Sequence, residues 1–354
     1  MAKILVIRLS ALGDVAISVP LLQNLAEQYP EHQFIMISLP LMANLFENCP
    51  SNVSFKAVET KGRHKGMLGL IRLFKEIDGK HIDAVCDLHD TLRSHILSLM
   101  FGMHRIPVFK INKERSERRK LTRKNNKDLK QLKSSFERYR EVFSKAGLSL
   151  VYFDVHPKMG PSSEALKEFV LEYGQKTNLW IGIAPFTKHC GKKYPLNKME
   201  EVIARFAGDN QFKVFLFGGG KEELKMMKIW KKNYPSLQIP NRIGLSRELK
   251  LMSCLDIMLT MDSANMHLGS LAYTKVISIW GATHPYAGFY GLYQDEQYMI
   301  QADLPCRPCS VFGNKPCYRN DYACMLAISP EQIIEKIEKE LGIGNDPMIF
   351  CSHK

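Results

Sequence analysis

In Arg8-Leu9-Ser10-Ala11-Leu12-Gly13-Asp14-Val15, a carboxylate stands just beyond a short apolar run. At such a place, between a strand and a helix, Asp14 is suited to take a proton from a bound hydroxyl. It is also suited to an ordinary place at a helix N-terminus, where the backbone dipole favours negative charge. Gly13 fits a tight strand-to-helix turn. A second segment, Met261-Asp262-Ser263-Ala264-Asn265-Met266-His267, follows another apolar run. Asp262 or Ser263 can cap the helix that follows, and amides at a helix start suit a pyrophosphate. Trp280-Gly281-Ala282-Thr283-His284-Pro285 repeats the layout of strand, glycine and hydroxyl. Capping alone also accounts for each segment taken separately.

Between Ala184 and Pro195 lie Thr187, Lys188, His189, Lys192 and Lys193. Their lysines are of the kind that neutralises phosphate on a leaving group. Phe217-Gly218-Gly219-Gly220-Lys221-Glu222-Glu223 is a glycine-rich turn, but Glu223 stands where a dinucleotide fingerprint needs its third glycine. That weakens a Rossmann oxidoreductase reading, and the absence of a Gly-x-x-x-x-Gly-Lys-Ser/Thr loop counts against an ordinary NTPase. Cys306, Cys309, Cys317 and Cys324 form a set compatible with a structural zinc, a redox-labile disulfide or packed thiols.

These residues need elements to hold them. Short β-branched runs alternate with helical patterns, the signature of parallel sheets with crossover helices. Strands are expected at Lys3–Arg8, Gln33–Ser38, Val53–Ala57, Ala84–Leu88 and Ile106–Phe109. Helices are expected near Val15–Gln28, Leu41–Glu47, Met67–Ile77, Thr91–Met100 and Leu129–Ala146. Ile4 to Ile7 is apolar without alternation, as in a strand covered on both faces, so it should be central. A second series follows, with strands at Trp180–Ala184, Lys213–Phe217, Leu237–Ile239, Ile257–Met261 and Lys275–Trp280. Its helices are expected at Lys198–Phe206, Lys221–Asn233, Arg247–Ser253 and Asn265–Ala272. Pro157, Gly160 and Pro161 mark a linker, giving domains at 1–157 and 158–330 and a C-terminal helix and tail at 331–354. Each domain reads as doubly wound α/β, and ligands of such domains bind at strand carboxyl ends.

In this order the segments resemble the heptosyltransferases of glycosyltransferase family 9, over nearly the whole chain. The resemblance rests on Arg8-x-Ser10-x-x-Gly13-Asp14, Asp87-Leu88-His89-x-x-x-Arg93-Ser94, Lys192-Lys193-Tyr194-Pro195, Asp262-Ser263-x-x-x-His267-Leu268 and Gly281-x-Thr283-x-Pro285. It implies a GT-B fold, two Rossmann-like domains facing a central cleft, and inverting, metal-independent transfer of heptose from ADP-heptose to a lipopolysaccharide core or related glycan. By the same matching Asp14 is the general base, and Lys192, with Lys193 as its competitor, holds donor phosphate. Asp262 contacts the sugar; Ser263, Asn265 and Thr283 contact the pyrophosphate, and Glu222 the ribose. Ser10, Gly13, Thr187, Ala264 and His267 complete the donor side. Ala264 stands where the family usually has glycine. Arg63 and Arg93 are candidates for acceptor anions, or ordinary surface salt bridges. The resemblance implies no required cofactor, and relatives carry similar cysteine-rich loops.

The chain of 354 residues carries 49 Lys+Arg against 36 Asp+Glu, a net +13, with 45% hydrophobic and 24% charged residues. That composition excludes a disordered or low-complexity chain. Residues 113–133 alone carry a net +7. Such a block suits a polyanion: an anionic membrane surface, a phosphorylated acceptor or nucleic acid. A nucleic-acid-binding protein ranks below the transferase because the block lacks interleaved aromatics. No apolar run approaches the ~18 residues of a spanning helix, and no signal peptide is visible. The expectation is therefore a monomeric cytoplasmic enzyme, peripheral at the inner membrane face.

Overall fold

The computed structural model describes residues 1–78, 81–151, 163–240 and 243–343. The chain forms two compact units. One comprises Met1–Arg118, Gln131–Lys158 and Tyr286–Leu292, the other Arg119–Lys130, Met159–Pro285 and Tyr293–Lys354. The expected boundary at 157/158 and its Pro157, Gly160 and Pro161 lie outside the described residues, as do tail residues 344–354.

The first unit contains β1 (Lys3–Ile7), α1 (Leu12–Gln28), β2 (Gln33–Ser38), β3 (Val53–Ala57), α2 (Gly66–Asp78), β4 (Ala84–Asp87), α3 (Leu92–Met103) and β5 (Val108–Lys110). α4 (Arg115–Leu121) runs across the division between the units, and α5 (Ser135–Lys145) returns to the first. All five strands are parallel, in the order β3-β2-β1-β4-β5. β1 is central, and Ile4 to Ile7 are buried, as the unbroken apolar run requires.

The second unit contains α6 (Ser163–Tyr173), β6 (Leu179–Ala184), α7 (Leu196–Ala207), β7 (Phe212–Leu216), α8 (Lys221–Asn233), α9 (Leu245–Ser253), β8 (Ile257–Met261), α10 (Ala264–Leu271), β9 (Val276–Trp280), β10 (Met299–Gln301), α11 (Ala323–Leu326) and α12 (Pro330–Glu340). Its parallel sheet has the order β10-β9-β8-β6-β7. Ile181, Ile183, Leu259, Ile277 and Ile279 join Ile333 and Ile337 of α12 in one core. The C-terminal helix is therefore part of this unit's packing.

Several elements differ from expectation. The helix expected from Leu129 begins only at Ser135, because the Leu132 amide bonds to the Tyr286 carbonyl and Ser134 supplies the cap, accepting from the Glu137 amide at 3.1 Å. Residues Pro40–Phe46 form a 3₁₀ helix rather than an α-helix. Around Leu237–Ile239 there is only one bridge, between Gln238 and Phe215. Gly13, expected in the strand-to-helix turn, lies inside the first turn of α1 and is not among the glycines of positive φ.

The basic stretch is not a uniform solvated face. Arg118 is buried with its guanidinium 4.5 Å from the Phe289 ring centre. Lys127 donates to the carbonyls of Cys306 and Pro308, each at 2.9 Å. Arg119, Arg123 and Lys124 remain exposed.

Candidate active site

At the carboxyl edge of the first sheet, Arg8 follows β1 and is buried, and its guanidinium needs anionic and carbonyl partners there. It finds them in Asp14 Oδ2, at 2.5 Å, and the Leu88 carbonyl, at 2.7 Å. Burial opposes the Arg8 charge, yet Asp14 beside it leaves its pKa raised. Asp14 sits in the first turn of α1, about one quarter exposed, so its carboxylate is oriented by Arg8 and reaches solvent.

His89 lies beside this pair. Its amide and that of Asp90 bond to Asp87 Oδ1, at 2.8 and 3.0 Å, which fixes the turn after β4. Its ring nitrogens meet Ser10 Oγ at 3.4 Å and Thr91 Oγ1 at 3.3 Å. Burial, then the charges of Arg8 and Lys113, push the imidazole pKa down to about 3, with Asp14 opposing. Lys113 is half-buried, its pKa lowered by burial and by Arg8, and it donates to the Asp90 carbonyl at 3.1 Å. Arg93, half-buried in the first turn of α3, contributes to the same positive environment. Arg63 stands apart from this group: it is exposed and paired with Glu76, which also holds Lys56 at 2.7 Å.

In the second unit, the ends of β8 and β9 and the turn before α7 come together. The approach depends on two glycines. A Cβ on Gly191 would lie 2.7 Å from the Ala282 Cβ, and one on Gly281 would lie 2.7 Å from the Gly191 carbonyl. The Ala282 amide bonds to that carbonyl at 2.8 Å. Lys192 is thereby carried over the end of β8, with Nζ 2.7 Å from Asp262 Oδ2. The contact is an ion pair rather than an aligned hydrogen bond, so the buried Oδ2 keeps no hydrogen-bond partner. Lys193 points to solvent.

Ser263 caps α10, accepting from the Asn265 amide at 3.2 Å, and its hydroxyl also meets that of Thr260 at 3.0 Å. Ala264 begins the helix without positive φ, so the alanine carries no strain at a position where the family usually has glycine. Thr283 Oγ1 is buried without a hydrogen-bond partner. Arg307 is also buried; it donates to the carbonyls of Gly281, Ala302 and Thr283 at 2.5, 2.6 and 3.0 Å and to Gln301 Oε1 at 3.0 Å. It fixes the Thr283 loop from behind. His267 lies buried in α10, and Thr187 is half-buried after β6.

Glu222 is exposed at the start of α8, and its neighbour Glu223 accepts the amides of Gly219 and Gly220 at 3.0 Å each. The glycine turn is therefore filled by the protein's own carboxylate. Cys306, Cys309, Cys317 and Cys324 are free thiols. Among the described residues, no group of three or more His, Cys, Asp or Glu is placed to hold a metal ion. Burial raises the Cys324 pKa to about 11. Sequence reasoning singled out neither Arg8, His89 nor Arg307 as site residues, although the first two stand inside the motifs that carry the resemblance.

The family description "Glycosyltransferase family 9 (heptosyltransferase)" matches residues 70–317. The chain is 23% identical over 337 residues to lipooligosaccharide heptosyltransferase 2 of Campylobacter jejuni serotype O:2, covering 93% of this chain and 95% of that protein. A protein of the same name from C. jejuni serotype O:6 aligns at 23% over 176 residues, so the chain spans about half of that relative (53%) and 48% of itself. Among solved structures, a family 9 glycosyltransferase of Veillonella parvula superposes with TM-score 0.74 at 20% identity, over 96% of this chain and 97% of that one. E. coli heptosyltransferase WaaC with ADP gives 0.65 at 17%, over 96% and 99%. These likenesses, over nearly the whole chain, give it the GT-B fold, each α/β unit contributing one parallel sheet. With the family match spanning more than half of the sequence, the chain belongs to glycosyltransferase family 9, the heptosyltransferases.

Proposed function

We propose that this glycosyltransferase moves heptose from ADP-heptose to a hydroxyl of a lipopolysaccharide core or related glycan, with inversion and without a metal ion. The observation that carries the reading is the group at the ends of β8 and β9, where a largely buried lysine, a capped helix start and an unpartnered buried hydroxyl converge. ADP bound to E. coli WaaC and the heptosyltransferase names of the relatives support the donor.

Transfer builds negative charge on the departing diphosphate and positive charge at the anomeric carbon. Lys192, the amides opening α10 and Thr283 Oγ1 are suited to the first. An arriving diphosphate offers Lys192 a more highly charged partner than Asp262. Asp262 Oδ2 can then accept a sugar hydroxyl. In the first unit, Asp14 takes the acceptor proton, and Arg8 holds its carboxylate in one orientation. His89 stays neutral at ordinary pH, so it lines the acceptor side without adding a further cation. Lys113 and Arg93 give that side a positive field suited to an anionic acceptor.

The test is ADP release from ADP-heptose with a heptose-deficient lipopolysaccharide acceptor, in the presence of EDTA, with the anomeric configuration of the product read by NMR. Inverted product formed in chelator is expected. Retention, or activity lost in EDTA and restored by magnesium or manganese, would refute the mechanism.

A further inference from the structure

α2 carries apolar side chains on its exposed side as well as on its buried one. Leu70, Leu73, Phe74 and Ile77, at helical spacing, are buried in the first unit's core. The other face carries Met67, Leu68 and Ile71, followed by Arg72 and Lys75, all exposed. Leu68 is 82% exposed and Met67 56%. A surface helix of a soluble protein ordinarily keeps that second face polar.

α3 repeats the pattern. Leu92, Leu99 and Met103, spaced to share one face, are 78%, 64% and 75% exposed. The connections β3 to β4 and β4 to β5 step in the same direction along the sheet, so right-handed crossovers put α2 and α3 on the same side of it. The two helices touch there, with Phe74 and Phe101 edge to face at 4.8 Å. Both outward stripes thus lie on the same side of the sheet, on neighbouring helices, where exposed apolar side chains recur rather than standing singly.

Charge identifies the occupant. Residues 61–75 include five Lys or Arg (Lys61, Arg63, Lys65, Arg72, Lys75) and no Asp or Glu. Leu68, Ile71, Arg72, Lys75 and Glu76 line a shallow groove on α2, and Glu76 is already held by Lys56 and Arg63. Apolar side chains level with basic ones, whose aliphatic stems reach past them, are the composition of a helix lying in a lipid interface. A second copy of the chain meeting this face about a twofold axis would oppose the same cations to each other.

We propose that the outer faces of α2 and α3 form the surface by which this protein docks on an anionic lipid bilayer. The inference rests on the proposed lipid-linked acceptor only for the reason to be there; docking itself needs neither donor nor transfer. The stripes begin at Met67, Leu68 and Leu92, at the helix ends that follow the carboxyl edge of the sheet, where Asp14 and Arg93 lie. Docking would present that edge to an acceptor rising from the membrane.

Flotation of the full chain with phosphatidylglycerol-containing vesicles, against phosphatidylcholine vesicles, tests the proposal. Binding is expected to the anionic vesicles only, and to weaken as salt is raised. Leu68→Ser with Leu99→Ser and Met103→Ser should lower it at least tenfold, and Arg72→Gln with Lys75→Gln by roughly fivefold for each charge removed. Circular dichroism and ADP calorimetry on the same variants should match the unaltered chain. Wild-type affinity in both variants, or no vesicle binding by the unaltered chain, overturns the proposal. Dimerisation abolished by the serine variant would assign the face to a second copy and overturn it equally. Failure to bind ADP alongside intact vesicle binding would refute the proposed function and leave the docking surface standing.

Discussion

Lys192 Nζ and Asp262 Oδ2 are 2.7 Å apart, with 12% and 4% of their side chains exposed. So buried a pair is expensive to break from one side, because the remaining charge has no solvent to turn to. Under the proposed function each partner also has a use that a ligand supplies: a cation for phosphate, and an acceptor oxygen for a hydroxyl.

Lys192→Ala should therefore lower ADP affinity by roughly 10–100-fold, the worth of one hydrogen bond to a charged group. It should also reduce stability, by about 3–5 kcal/mol. Adding Asp262→Asn should restore much of the stability but not the affinity. Lys193→Ala, at an exposed position, should change neither much. Calorimetry and denaturant melts on the four proteins check the order, and a larger ADP loss at Lys193 would reverse the assignment.

Asp14→Asn keeps the side-chain shape and loses the basicity. Turnover should fall by roughly 10²–10⁴ with ADP affinity unchanged. Near wild-type turnover would reduce Asp14 to an Arg8-bound residue of the helix start.

The imidazole of His89, held down at about 3 from an ordinary 6.5, makes stability pH-dependent. Between these values the unfolded chain binds the extra proton and the folded one does not. Stability from this group is thus complete above about 6.5 and is lost as pH falls, by at most about 1.4 kcal/mol per unit. His89→Gln should flatten the acid limb of the stability curve between pH 6.5 and 3 in urea melts. An unchanged limb would mean that His89 protonates without cost.

Arg307 satisfies three carbonyls and Gln301 from inside the second unit. Arg307→Met fills similar volume and leaves the buried Gly281 and Thr283 carbonyls without that donor, at roughly 1–3 kcal/mol each. The melting temperature should fall by several degrees, about 2–4 °C per kcal/mol. Because the Thr283 carbonyl is among them, ADP affinity should fall too. A stable variant with full affinity would show that the loop holds itself.

Local signals carried much of this architecture. The unbroken run Ile4 to Ile7 identifies the central strand, and residues 221–233 and 257–261 are bounded as their apolar spacing and flanking glycine or acidic residues indicate. The late start of α5 was not legible, because the amide that ends the extended stretch at Leu132 bonds to Tyr286, far along the chain. β10, only three residues long, has too few positions to show a period. Among the candidate residues, Asp14 of the first unit and Asp262 and Thr283 of the second are visible as polar residues after apolar runs. Arg8 and Arg307 are not, since nothing in an arginine's neighbours tells that it will be buried. The role of Glu223 depends on a loop geometry that the glycine spacing alone does not specify.

The exchange of segments between the two units bears on how the chain is made and divided. Residues 286–292 belong to the first unit, where the Gly288 carbonyl takes the Ser135 amide at 2.8 Å and the Ala287 carbonyl takes Arg138 at 3.0 Å. A ribosome that has released residue 157 has not yet supplied either acceptor, so the buried Arg138 waits for more than a hundred residues of later synthesis. Reciprocally, Lys127, made early, finds its carbonyls only with Cys306 and Pro308. A fragment ending near residue 157 would therefore lack the acceptors that the whole chain gives Ser135, Arg138 and Lys127. An exchange of units between related chains would have to carry these two short segments with their sheets.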